Sequence, residues 1–268
     1  MSKMLIFTSL LSGDKHTEFA VVFTLIDEFL TKYPEQEGNQ RLSVFSLQNT
    51  DWSDSGAYTL DGIAPVKTSL IRPGEKAATE RYSEFIGEHL NKYASEKNDP
   101  LSRSVSCLSP YLHFGQVSSQ RIALEIIKTG NRDESSATFL EELIIRKELS
   151  DNYCYYNPDY DNVAGFPSRA RKSLDEHRRD EREHFYNLTV SEPATTHDLL
   201  WNAAQNEMMR TGRMHGCLRM YRATKIPEWT VSPEVALQIA IYLNNKYELD
   251  GRDPNEYAGC AWSIGGVY

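Results

Sequence analysis

Apolar residues recur along this chain at mixed strand and helix periods up to about residue 73 and at a helical period beyond it. Before that point, an apolar run over 4–11 follows Lys3. It is short and has no clear small-residue cleavage site, so Met4, Leu5, Ile6 and Phe7 predict a strand and not a leader peptide. Val22, Leu25, Ile26 and Phe29 share one face of a predicted helix over 19–33. The stretch 42–47 alternates as a strand does. Turn residues with little periodicity fill 48–68, and no glycine-rich phosphate loop is present. This part predicts a small α/β segment, not a complete doubly wound domain.

After Pro73-Gly74 the period becomes helical throughout. Ala78, Tyr82, Phe85, His89 and Tyr93 line one face of a helix that ends near Asn98-Asp99-Pro100. Ser118 or Ser119 is placed to cap a helix reaching Lys128, with Gly130 as its stop. Ser135 or Ser136 caps another, running to about Tyr153. Asp198 caps a helix to about Arg210, closed by Thr211-Gly212. The next is predicted from about Arg213 to Ile226, where Pro227 ends or kinks it. Ser232-Pro233 opens a helix to about Lys246, with Val235, Ile239, Tyr242 and Leu243 at helical spacing. Pro254, Gly259, Gly265 and Gly266 predict mostly loop over 250–266.

The 268 residues carry 40% hydrophobic and 25% charged side chains, ordinary for a globular protein. A net charge of −9 argues against indiscriminate nucleic-acid binding. It leaves room for a local basic face: residues 208–227 hold Arg210, Arg213, Arg219, Arg222 and Lys225 and no acid. Cys107, Cys154, Cys217 and Cys260 have neither metal-ligand nor redox spacing, so no metal site is expected. Scattered thiols suit a reducing compartment, and an intracellular location, cytoplasmic or nuclear, is expected. No stretch is long and apolar enough to span a membrane.

Three stretches carry candidate chemistry. Residues 201–268 hold Trp201, Trp229 and Trp262 together with Asn, Gln, Arg and Asp at core-like helical positions, a mixture that suits a buried polar cofactor. The serine-rich turn over 104–109, just before a helix, offers hydroxyls and amides to a phosphate. Glu142 and Arg146, four apart, read by themselves as a surface ion pair.

The motifs PGEKAA (73–78), NDP (98–100), LSPYLHFGQ (108–116), EELIIRKELSDN (141–152), WNAAQ (201–205), MHG (214–216), YELDGRDPN (247–255) and WSIGG (262–266) occur in this order. Together they resemble the class II cyclobutane pyrimidine dimer photolyases of the photolyase/cryptochrome superfamily, over 72–268. The resemblance implies a mostly α fold: a helical FAD-binding domain over 73–268, preceded by a short remnant of the family's α/β antenna domain over 1–72. It implies light-dependent repair of pyrimidine dimers in DNA by electron transfer from reduced FAD. Damaged DNA is the partner, a monomer is expected, and an antenna chromophore is not implied.

Carried over by residue, Tyr93 and the turn Ser106, Cys107, Leu108 and Ser109 would hold the FAD phosphates. Arg219 and Asp250 would pair beside the isoalloxazine, with Gly251 and Arg252 in the same loop and Asn244 near the flavin N5. Glu142 would bond the lesion's base edge, with Met220 and Trp262 packed on it and Arg146, Arg210 and Arg213 on the DNA side. Trp201 and Trp229 match two members of an electron-carrying tryptophan chain. Arg222 stands where the third, flavin-proximal tryptophan of the family would be. The stretches before 73 and after 266 are shorter than the family's, so the chain is expected to be truncated at both ends. Two alternatives stay open: a repair-dead flavoprotein, whether photoreceptor or relic, and a cofactor-free helical DNA-binding module.

Overall fold

The computed structural model describes residues 71–266, all within one compact unit that begins at Val66. The strands expected over 4–7 and 42–47, the helix over 19–33 and hence the α/β remnant lie outside the described residues. Among the described residues every regular element is helical and no strand occurs.

Helix α1, Glu75–Glu84, buries Ala78 and Tyr82 and passes without a break into a wider turn of π-helix, Phe85–His89. That extra residue per turn moves the buried face on by one position. Phe85 is followed inward by Leu90 and Tyr93, and His89, expected on the face, is only half-buried. A short 3-10 turn leads to α2, Tyr93–Glu96.

Helix α3, Ser109–His113, precedes α4, Ser119–Lys128, whose Ser118 cap accepts from the Arg121 amide. Helix α5, Glu134–Leu140, is capped by Asp133, which accepts from the Ser136 amide, and not by Ser135 or Ser136. Both serines are buried, and Ser135 Oγ instead ties α5 to the Ala94 amide and the Asn91 carbonyl. A second π turn, Glu141–Arg146, joins α5 to α6, Lys147–Tyr156. Helices α7, Ser168–Glu176, and α8, Leu188–Ser191, follow.

The last four helices form the main core. Asp198 caps α9, Leu199–Thr211, and Gly212 closes it in the left-handed region. Helix α10, Gly216–Trp229, starts three residues later than the pattern suggested, because the His215 side chain caps it by accepting from the Cys217 amide. It also runs past Pro227. The proline forfeits its own amide bond but sits only two residues from the helix end, so little helix follows it to be disrupted, and the Trp229 carbonyl is taken up by the Tyr186 amide. Ser232 caps α11, Pro233–Tyr247.

The clearest departure is α12, Pro254–Gly265, where loop was expected. Asp253 accepts from the Asn255 amide, Pro254 occupies the first turn and Gly266 provides a left-handed stop. Gly265 is there for packing: a Cβ on it would stand 2.2 Å from the Phe166 ring. Trp201, Met208, Ile226, Leu237, Leu243 and Ala261 fill the space between α9 and α12. Burying one such large side chain contributes about 1.5–3 kcal/mol.

Candidate functional site

A cavity of about 640 Å³ opens among the 105–109 turn, α2, the second π turn, α10, α11 and α12. That size suits a small-molecule site. One wall is the turn Ser106, Cys107, Leu108 and Ser109. The Arg81 guanidinium fixes it by donating to the Ser106 carbonyl at 2.7 Å and the Val105 carbonyl at 3.1 Å. Cys107 has a φ of 58°, a left-handed conformation unusual for a residue with a side chain, and its sulfur contacts the Arg213 guanidinium.

The mouth carries Glu142, Arg146, Met220 and Trp262. Glu142 does not pair with Arg146, because the π turn advances by about five residues, not four. Arg146 bonds Glu141 at 3.1 Å instead. Glu142 accepts from the Tyr93 hydroxyl at 2.8 Å and from Lys97. Burial, then the neighbouring Glu142 carboxylate, raises the Tyr93 phenol well above its usual range, so it stays a donor. The Arg146 guanidinium lies 5.7 Å from the Trp262 ring centre, and Met220 and Trp262 are exposed. An exposed indole, thioether and guanidinium beside a carboxylate offer both stacking and edge contacts.

The floor is charged. Arg219 donates to both carboxylate oxygens of Asp250, at 3.2 and 3.3 Å. It also faces Glu248 Oε2 at 2.7 Å and touches Glu256. Burial pushes the Asp250 carboxyl up, but Arg219 and a Ser109 hydrogen bond outweigh it and hold the group below its ordinary value. Burial dominates at the other two: Glu248 is held well above a normal carboxylate, and Glu256 is pushed up to about 7.

Asn244, on α11, is buried beside this cluster. Its amide nitrogen stands close enough to Glu256 to lower that group's pKa, yet has no partner in hydrogen-bonding geometry. Arg222 forms a further part of the lining and is fully buried. It donates to Gln205 Oε1 at 3.0 Å and to Met208 Sδ, while its Nε has no partner. Burial lowers its pKa, but a guanidinium remains charged. Unpartnered buried donors on the wall of a cavity suit an occupant rich in acceptors.

The cavity thus gathers Tyr93, Ser106, Cys107, Leu108, Ser109, Glu142, Arg146, Arg213, Arg219, Met220, Asn244, Asp250 and Trp262. Five candidates lie outside the lining. Gly251 packs under α11, where a Cβ would meet the Asn244 carbonyl at 2.8 Å. Arg252 is exposed with a φ of 69°, and Arg210 is exposed near the end of α9. Trp201 and Trp229 stack edge to face at 5.8 Å in the core behind Arg222. Trp201 Nε1 donates to the Arg222 carbonyl at 3.1 Å.

The acid-free run 208–227 is not one basic face. Its helical phase turns Arg219 and Arg222 inward, Lys225 is paired with Glu228 at 2.9 Å and Arg213 meets Cys107. Glu248 and Glu256 were not foreseen. Reading 250–266 as loop hid the register that brings Glu256 onto the cavity face of α12 with Gly259, Cys260 and Ser263, although the Asp253-Pro254 cap signals that helix.

Among known proteins, deoxyribodipyrimidine photo-lyase of Arabidopsis thaliana is 46% identical over 91% of this chain and 51% of its own length. That of Potorous tridactylus is 43% identical over 91% of this chain and 46% of its own. The crystal structure of a bacterial class III photolyase from Agrobacterium tumefaciens superposes with a TM-score of 0.58, over 83% of this chain and 42% of that one, at 18% identity. This chain belongs to the photolyase/cryptochrome superfamily. No family profile matches it. The chain spans about half the length of these photo-lyase relatives. The photolyase fold seen here is the helical one, and among the described residues no helix is long and apolar enough to cross a membrane.

Proposed function

We propose that the cavity binds FAD and that the protein uses it, in light, to repair cyclobutane pyrimidine dimers in DNA, as a carbon-carbon lyase. The observation that carries this reading is the buried Arg219–Asp250 pair, with the unpartnered Asn244 amide beside it, in a cavity whose mouth is built from Glu142, Met220, Arg146 and Trp262.

When bound in its reduced form, FAD would supply the reversible, light-driven one-electron chemistry that this reading requires. The chain's own residues bind and orient. Arg219 presents a permanent positive charge, and Asp250 holds that guanidinium in place. Asn244 would offer an amide N–H to an acceptor of the flavin, and the 106–109 turn with Arg213 would hold the phosphates. Glu142, fixed by Tyr93 and Lys97, accepts from the base edge of the extruded lesion, while Trp262 and Met220 cover its faces.

The direct test is a dimer-containing oligonucleotide incubated with chemically reduced protein in light and in darkness. Light-dependent return of undamaged bases is expected, and equal yields in light and dark contradict the proposal.

A second reading, a flavoprotein without repair, is favoured by Arg222. It stands between Trp201 and the cavity, and a guanidinium does not relay electrons as an indole does. Repair by protein reduced beforehand, with poor photoreduction of oxidised protein, separates a defective relay from a dead site.

A further inference from the structure

The cavity floor holds more carboxylates than one cofactor-orienting ion pair requires. Asp250, Glu248 and Glu256 all face Arg219, and Arg222 is the second buried cation. Glu256 lies on the first turn of α12, lines the cavity and touches Arg219 Nη1. The Glu248 side chain is fully buried, and neither of its oxygens has an aligned hydrogen bond, despite the 2.7 Å approach of Arg219.

The charged and titratable groups around Glu256 come from every neighbouring element. Arg219 and Arg222 project from α10, and Asn244, Glu248 and Asp250 from α11 and the turn after it. Asp253 caps the helix of Glu256 and Cys260 lies on it, with His113 of α3 held on Asp253 at 3.2 Å. Arg146 and Lys147 stand across the cavity.

This arrangement fixes the charge of the floor. Burial holds the Glu248 carboxyl well above its ordinary value, and Arg219 holds Asp250 below its own. Glu256 touches Arg219 and lines the cavity, so its ionisation lowers the charge of the floor by one unit and gives the floor two states. The group that decides between the two states titrates near neutrality. An anion entering the cavity favours the protonated form, since two like charges in a site of low polarity raise each other's energy.

We propose that Glu256 sets how tightly the cavity holds the anionic FAD, by taking up one proton from solvent as the cofactor binds. This rests on the reading of the cavity as an FAD site. Glu256 is a tuning residue here: its carboxyl changes the charge that the cofactor meets, while Arg219 and Asn244 make the contacts.

The experiment measures FAD affinity for flavin-free protein by fluorescence quenching between pH 6 and pH 8.5, in the parent chain and in Glu256→Gln. Full coupling gives the parent a loss of roughly thirtyfold across this range, one proton being linked to binding. An observed loss above about fivefold is the expected result. Glu256→Gln, neutral at every pH, stays within about twofold and binds more tightly than the parent at pH 8.5. A purely structural role for Glu256 would weaken binding equally at all pH values and leave the slope unchanged, which overturns the proposal. So does a flat parent profile.

Calorimetry of FAD binding to the parent at pH 8, in two buffers of different ionisation heat, reads the proton directly and needs no variant. Uptake approaching one proton supports the proposal, and no uptake overturns it. Absence of FAD binding at any pH removes the FAD reading itself, whereas pH-independent binding removes only the role of Glu256.

Discussion

Replacing Arg219 by Met tests the floor of the cavity most severely. The side chain keeps much of its apolar stem but loses the guanidinium that faces Asp250, Glu248 and Glu256 and donates from Nε to the Met214 carbonyl at 3.1 Å. Breaking a buried ion pair from one side costs about 3–5 kcal/mol, because the stranded partners stay desolvated. Here the cost depends on pH. Glu248 and Glu256 are already displaced upward by burial, so at acidic pH they strand no charge. Asp250 is held low mainly by Arg219, and without it burial raises this group too.

A carboxyl whose folded pKa is raised binds more protons in the native than in the unfolded state, so stability falls as pH rises from its unfolded to its folded value. Each such group contributes about 1.4 kcal/mol per pH unit within that window. Arg219→Met is therefore expected to lose about 3–5 kcal/mol at pH 8 and clearly less, about 1–2 kcal/mol, at pH 5.5. Urea unfolding followed by helical circular dichroism at the two pH values measures both losses. An equal loss at both, or one below about 1 kcal/mol at pH 8, would mean that Arg219 does not hold buried carboxylates in their charged form.

Three further outcomes are expected. Gly265→Ala drives a methyl into the buried Phe166 ring and should destabilise the fold by about 1–3 kcal/mol in a melting or urea experiment, since packed interiors give way poorly. Trp262→Ala should weaken binding of dimer-containing DNA by about 1–3 kcal/mol while flavin content is unchanged, because the indole is exposed at the mouth and not part of the floor. Arg222→Trp places an indole between Trp201 and the cavity and should speed flavin photoreduction under blue light with an external thiol; an unchanged rate means that electrons arrive by another route.

What could be read from the sequence was mostly local. Ser118, Asp198 and Ser232 cap the helices they were expected to cap, and Gly212 stops α9, because a cap is decided within a few residues of chain. The π turns at Phe85–His89 and Glu141–Arg146 were not visible, since nothing in a helical apolar pattern marks one extra residue. The second of them redirected Glu142 from Arg146 to Tyr93 and Lys97. Asp133 replaced Ser135 and Ser136 as a cap because tertiary partners claimed those serines. Helix α12 was hidden by its glycines: Gly265 serves the approach of Phe166, a reason that lies 99 residues away in the chain. For the site, motif positions pointed to Arg219, Asp250, Asn244 and Glu142, and the structure brings these to one cavity. Glu248 and Glu256 emerge only when α10, α11 and α12 are packed together.

Whether the cavity takes up flavin decides between the proposed reading and a cofactor-free helical protein. The most direct measurement is the flavin bound per chain, read from the absorption of protein saturated with FAD and then freed of excess, for the parent and for Asn244→Leu. One FAD per parent chain is expected, with a marked loss in the variant, whose leucine removes the amide and leaves the rest of the buried wall in place. A parent chain that folds and holds no flavin, or a variant that holds as much as the parent, would contradict the proposed reading.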